Sequence, residues 1–231
     1  MFSLKLFQSA RMLAISSCLA FISIPSYSLD SSNEWDLEKK DRKYQLKVYT
    51  RDVEGSPLKA FKGVMQVDAS IGHVMAEITD HDNSCEWLAD CVEYKMFEEI
   101  SANKNYVYFV QNAPWPVSDR DMVALSEASQ NPETYEISIK VQAEPDKLPL
   151  TEDNIRIPQL NAHWRIIPKS ETQSEIIYEG HADPGGSIPN WLANAVVVTT
   201  PYKTLKSLNK RLKKSKKEFN HPNFKNYVAS E

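Results

Sequence analysis

The stretch DPGGSIPNWLANAVVVTTPYKTLKSLNKRL, residues 183–212, joins a turn signal to the longest periodic pattern in the chain. Asp183-Pro184-Gly185-Gly186 is turn chemistry. From Ser187 onward, apolar residues recur at intervals of three and four, which predicts one amphipathic helix of about 25 residues. Pro189 falls in its first turn, where a missing N–H costs little, whereas Pro201 falls in the middle and predicts a kink or a loosened hydrogen bond.

The chain before this helix consists mainly of predicted strands. Apolar and polar residues alternate over residues 44–49 and 61–67, and strand-like runs follow at 91–100, 105–112, 120–128, 133–143, 161–168 and 174–182. A short helix capped by Ser70 and a second one over residues 85–90, burying Trp87, interrupt the strands, and residues 144–158 form a predicted loop. Short links between adjacent strands favour an antiparallel sheet. The order predicts an α+β fold, in which a curved antiparallel sheet wraps around the long C-terminal helix and leaves a hydrophobic cavity beside it.

Residues 1–28 have the layout of a secretory signal peptide. Lys5 and Arg11 precede an apolar run over residues 12–24, and small residues stand before a cleavage point after Ser28. An uncleaved anchor or a lipidated Cys18 are the alternatives. We therefore expect an exported protein, periplasmic if the source is bacterial and otherwise secreted or luminal. Its domain would cover residues 29–213 and be followed by a polar tail over 214–231, frayed over 218–231.

Cys85 and Cys91 are the two cysteines of the predicted mature chain. An oxidising compartment would allow them to form a disulfide across a short loop, which the spacing permits without requiring it. His81 lies nearby, but the spacing matches no established metal site, so we predict no metal and no cofactor.

Positive charge is concentrated at the end of the predicted helix. The whole chain carries a net charge of −4, yet residues 203–217 contain eight Lys or Arg and no acid. One interpretation is docking on an anionic membrane surface, and the other is a solvated helix end whose cations suit the helix dipole. Nucleic acid is not a predicted partner of an acidic, exported chain. The predicted docking residues are Lys203, Lys206, Lys210, Arg211, Lys213 and Lys214.

Several motifs in the right order resemble the START (StAR-related lipid transfer) domain. They are residues 114–123 (PWPVSDRDMV), Trp164, residues 183–194 (DPGGSIPNWLAN), and then Pro201 and Leu205, with Trp35 and Trp87 upstream. The resemblance implies a helix-grip fold around a tunnel for one lipid or sterol, with the C-terminal helix and an adjacent loop as its lid. It also implies a non-enzymatic carrier or sensor, and a structural role for Arg120 and Asp121 at the end of a strand.

This sequence departs from the family pattern inside the tunnel. Steroidogenic members carry an Arg–Glu pair there, and the corresponding positions are Ser126 and Val107. Either charge alone would be unpaired and costly in such a site, so it is consistent that the Arg and the Glu are both absent. Their absence predicts a more apolar tunnel and removes the reason to expect cholesterol.

Strand alternation and the helix face predict which residues line the cavity. The alternative is that these side chains simply fill a core. The predicted lining is Val107, Phe109, Met122, Ala124, Ser126, Trp191 and Ala195.

The predicted function is non-enzymatic binding and transfer of one lipid or sterol-like molecule by a monomer, gated by the C-terminal helix. One alternative is an enzyme of the same superfamily that uses His163 or His181 for acid–base chemistry. The other is a protein-interaction module with a filled cavity. No nucleophile, metal or phosphate-binding motif accompanies the two histidines.

Overall fold

Ten β-strands form one sheet in the computed structural model of the chain, which describes residues 34–215, 217 and 221–228. Two α-helices accompany the sheet, α1 (Ile71–Ile78) and α2 (Asn190–Lys214). The strands are β1 (Asp36–Asp41), β2 (Leu46–Val53), β3 (Ser56–Val67), β4 (Cys91–Ser101), β5 (Lys104–Gln111), β6 (Arg120–Gln130), β7 (Ile137–Ala143), β8 (Ile155–Arg156), β9 (Gln159–Ser170) and β10 (Gln173–Asp183).

The strands follow the order β1-β2-β3-β10-β9-β7-β6-β5-β4, and neighbours along this path are antiparallel. The two-residue β8 lies off the path and pairs in parallel with β6. Because β10 pairs with β3, the last strand lies beside the first three, and the chain enters α2 from the middle of the sheet. The predicted α+β, helix-grip architecture is confirmed.

The second half of α2 packs directly on the sheet. Leu205, Leu208 and Leu212 are buried at 5% exposure or less, against sheet residues of the same core such as Met65 and Ile176. Gly63 on β3 makes this approach possible, because a Cβ there would lie 2.4 Å from Leu205 Cδ1. Because the second half of α2 is in close contact with the sheet, a cavity can form beside the first half.

Pro201 lies inside α2, and the helix is continuous across it. Because proline has no N–H, the carbonyl of Val197 lacks its usual helical donor. The predicted loosened hydrogen bond is therefore present at the boundary between the two halves of the helix.

The turn before α2 is held by a buried arginine. Gly185 and Gly186 adopt positive φ angles of 68° and 64°, which favour glycine. The Arg120 side chain, 5% exposed, donates hydrogen bonds to the carbonyls of Pro184, Gly185 and Ser118. Arg120 does not pair with Asp121, whose carboxylate instead binds the buried Arg156. Arg120 and Asp121 are thus two separate anchors at the start of β6.

The predictions for the C-terminal segment and two local elements need correction. Residues 221–228 are not a frayed tail: Phe224 is 8% exposed in the core, and Asn226 packs against Gly72. The second short helix is a 3₁₀ turn over His81–Glu86, which ends just before the buried Trp87. The predicted 144–158 loop contains a 3₁₀ turn (Pro145–Lys147) and β8.

Candidate functional site: two adjoining cavities

An outer cavity of about 520 Å³ lies between the first half of α2 and the sheet. Its volume is within the range of small-molecule sites in proteins. Two loops complete its wall, residues 112–117 between β5 and β6 and residues 184–188 before α2. Its main apolar lining is Phe61, Phe109, Met122, Leu160, Leu192 and Val196.

A second cavity of about 150 Å³, here called the inner cavity, is lined by residues of the sheet, α1, the 3₁₀ turn over His81–Glu86 and the C-terminal segment. Its wall includes Trp87 and Trp164, whose rings meet edge to face at a centroid distance of 5.9 Å. The two cavities share the side chains of Leu88, Phe109, Met122, Leu160 and Tyr178. The cavities therefore adjoin, and the unbranched, adaptable side chain of Met122 lies on their common wall.

The two cavities differ in charge. Lys59, Asp90, Arg120 and Lys203 line the outer one, where Lys203 Nζ and Asp90 Oδ1 form an ion pair at 2.9 Å. Among the described residues, no Asp, Glu, Lys or Arg lines the inner one.

Three titratable side chains of the inner cavity favour their uncharged forms. Burial raises the pKa of Tyr178 to about 12 and also raises the pKa of Tyr94. Burial lowers the pKa of His81, whose Nδ1 lies 3.4 Å from Tyr94 Oη. Desolvation disfavours a charge on each of these three side chains.

Five of the seven predicted cavity residues line a cavity. Phe109 and Met122 line both cavities, Val107 and Ser126 line the inner one, and Ala195 lines the outer one at its exposed rim. Two predictions are wrong. Ala124 is fully buried and lines neither cavity, because its short methyl group is covered by packing. Trp191 is 73% exposed, because it lies on the outer side of the first turn of α2, whereas its neighbours Leu192 and Ala193 line the outer cavity.

The predicted membrane-docking residues do not form one free basic surface. Arg211 is only 13% exposed, because its guanidinium lies among the carboxylates of Glu77, Asp80 and Glu86. Lys203 pairs with Asp90, and Lys206 donates to Tyr202 Oη. The remaining three, Lys210, Lys213 and Lys214, are exposed. Arg211 also lies about 28 Å along the helix from Leu192 at the outer cavity.

The two histidines of the enzyme alternative line neither cavity. His163 Nε2 lies 2.7 Å from Ser138 Oγ, and His181 Nε2 lies 3.1 Å from Ser56 Oγ. Strand alternation explains this placement, since Trp164 and Ala182, their sequence neighbours, face the cavities.

Cys85 and Cys91 are joined by a disulfide, with their Cα atoms 5.0 Å apart. It ties the turn that precedes Trp87 to the start of β4. Within the described residues, no helix is both long and apolar enough to cross a membrane.

Most of the inner-cavity residues were not predicted from the sequence as site residues, among them Asn105, His81 and Phe224. Asn105 could have been found, because it alternates with Val107 and Phe109 on β5. His81 and Phe224 could not, since a turn and the C-terminal segment bring them to the cavity from distant parts of the chain.

Comparison with known proteins places this architecture in one family. The START domain model matches residues 28–218. An uncharacterised protein of Pseudomonas aeruginosa is 33% identical over 183 residues, which are 79% of this chain and 89% of that protein. Ceramide transfer protein of Xenopus laevis is 28% identical over 174 residues, but the match spans only 28% of its length.

Comparison with solved structures leads to the same family. A STAR-related lipid transfer protein of Xanthomonas axonopodis superposes with a TM-score of 0.71 at 37% identity, covering 78% of this chain and 98% of that one. Human StAR-related lipid transfer protein 5 shares the fold, with a TM-score of 0.70 at 16% identity over 78% of this chain and 86% of that one. The chain belongs to the START domain family, whose members generally bind and transfer lipids.

Proposed function

We propose that this protein binds one hydrophobic molecule in its two adjoining cavities and transfers it between membranes without chemical change. The observation that carries the proposal is the outer cavity of about 520 Å³, whose lining is mostly apolar and which an amphipathic helix covers. Each buried CH₂ of a ligand gains about 0.8 kcal/mol over water, so such a cavity makes transfer through water feasible.

The first half of α2 is the proposed gate. Most of its residues between Leu192 and Thr200 line the outer cavity, whereas Leu205, Leu208 and Leu212 hold the second half in the core. Pro201 separates these halves and removes one helical hydrogen bond there. An outward bend of the first half would open the cavity and leave the core contacts intact.

Extraction of lipid from vesicles tests the function directly. We expect the full chain, mixed with phosphatidylcholine vesicles that contain a trace of fluorescent ceramide and then separated from them, to carry at most one fluorescent molecule per protein. Saturation well above one molecule per chain, or no capture from vesicles of any lipid composition, would refute a single-ligand carrier.

The exchange face is proposed to be the mouth of the outer cavity. Trp115 is 92% exposed, one residue from the cavity-lining Pro114, and Trp191 is 73% exposed beside the lining Leu192. Tryptophan favours the interface between a bilayer and water, so the occupant of this face is a phospholipid surface. The proposal replaces docking through the basic end of α2, whose Arg211 is engaged in ion pairs.

Transfer rates distinguish these two surfaces. We expect the double variant Trp115→Ala and Trp191→Ala to transfer lipid between vesicles about 10-fold more slowly and to keep its equilibrium occupancy, because the loss affects docking rather than the cavity. The control is Lys213→Ala with Lys214→Ala at the other end of α2. If only the lysine variant slows transfer, the basic end is the docking surface.

Export is also proposed. It is supported by the signal-like pattern of residues 1–28 and by the disulfide, since disulfides are rare in reducing compartments. The intact mass of the protein from its native cells is expected to correspond to a chain beginning at Leu29, whereas a mass that retains residues 1–28 would contradict cleavage.

A further inference from the structure

We propose that the inner cavity is a separate subsite that receives a neutral hydrogen-bonding group of the ligand, a hydroxyl or an amide. This inference rests on the proposed lipid-binding function and adds the chemical class of the ligand group that enters the inner cavity. The outer cavity would then hold the hydrocarbon portion.

Two polar atoms without a hydrogen-bond partner carry the inference. Trp87 Nε1 and Asn105 Oδ1 are both buried, both lack a partner among the described residues, and both belong to side chains that line the inner cavity. One is a donor and the other an acceptor, so a hydroxyl or an amide can serve both. A buried polar group left without a partner costs about 1–3 kcal/mol, which a ligand with the right group would recover.

The surroundings select a neutral group. Tyr94 and Ser126 add hydroxyls to the wall, and the described lining has neither an acid nor a lysine or arginine. A phosphate or a carboxylate would lose its hydration there without gaining an opposite charge, which is strongly unfavourable.

The C-terminal segment, residues 221–228, shapes this subsite. His221 and Phe224 line it, although they lie beyond residues 28–218 that match the family model. The segment is fixed by His221 Nε2 at 2.7 Å from Ala102 O and by two hydrogen bonds of 2.8 Å between Gln130 and the backbone of Lys225. The inner cavity is therefore partly closed by residues outside the span that matches the family model.

A capture competition tests the subsite. Phosphatidylcholine vesicles are doped with equal amounts of hexadecan-1-ol, hexadecanamide, hexadecanoate and hexadecane, and mass spectrometry counts what the full chain removes. We expect the alcohol and the amide to be captured at least 10-fold over the alkane and the carboxylate. Asn105→Leu and Trp87→Phe should each lower the alcohol-to-alkane ratio by about 5- to 10-fold, as the loss of one buried hydrogen bond predicts, while alkane capture persists.

Thr200→Val is the matched control, because Thr200 Oγ1 is also buried without a partner but lines the outer cavity. If Thr200→Val lowers the ratio and the inner-cavity variants do not, the polar group lies in the outer cavity and the inference is wrong. Equal capture of alcohol and alkane by the unaltered chain would also overturn it, since water would then satisfy the inner groups, and lipid transfer would still stand. Capture of no compound at all would remove the proposed function and the inference together.

Discussion

Met122→Arg is expected to reduce lipid capture by at least about 100-fold. Met122 lies on the wall shared by the outer and inner cavities, so an arginine there blocks both. Asp90, which lines the outer cavity, is already paired with Lys203, so the guanidinium would meet a bound hydrocarbon chain without a counter-charge. Vesicle extraction measures the loss, and circular dichroism verifies that the variant is folded.

Leu125→Arg is the matched control for this change. Leu125 lies on the same strand three residues away, lines neither cavity, and belongs to the opposite face of β6. Its arginine can extend into solvent, so capture should remain within about two-fold of the unaltered chain. Val196→Trp is a second test in case Met122→Arg does not fold, because its larger side chain fills the outer cavity. Normal capture by folded Met122→Arg and Val196→Trp would show that the cavities do not hold the ligand.

Asp121→Ala is expected to have the largest effect on stability, lowering the free energy of unfolding by about 3–5 kcal/mol. Its carboxylate is fully buried and binds Arg156 Nε at 2.9 Å and Nη2 at 3.0 Å. Arg156 also donates to the carbonyls of Pro145, Leu148 and Pro149, which fixes the loop beside the cavity. Removing the carboxylate leaves a buried guanidinium uncompensated.

Chemical denaturation measures this loss, with Glu127→Ala as the control. Glu127 pairs with Lys104 at 2.9 Å, but its side chain is 54% exposed, so its removal should cost about 1 kcal/mol or less. A change of under 1 kcal/mol for Asp121→Ala as well would show that the Asp121–Arg156 pair is not an anchor of the fold.

Periodicity predicted most of the fold. The three- and four-residue spacing of residues 187–212 corresponds to α2, and the alternating runs correspond to β2–β7, β9 and β10. The first strand was missed because its sequence, DLEKKD, has no apolar alternation. It is an exposed edge strand, and its pairing with β2 determines its conformation.

The site was predictable only where local pattern determines which way a side chain faces. Val107, Phe109, Met122 and Ser126, which were predicted from alternation along β5 and β6, line the cavities. Alternation could not show that Ala124 is too short to reach a cavity. The burial of Arg211 depends on carboxylates from α1 and the 3₁₀ turn region, more than 120 residues away in the chain.

Native mass spectrometry of the protein purified from its own cells tests the central claim most directly. We predict a complex of one chain with one lipid or sterol-like molecule, which leaves intact as a neutral species on gentle activation. A chain that is detected without any bound molecule, and that also removes nothing from vesicles, would contradict the account of this protein as a lipid carrier.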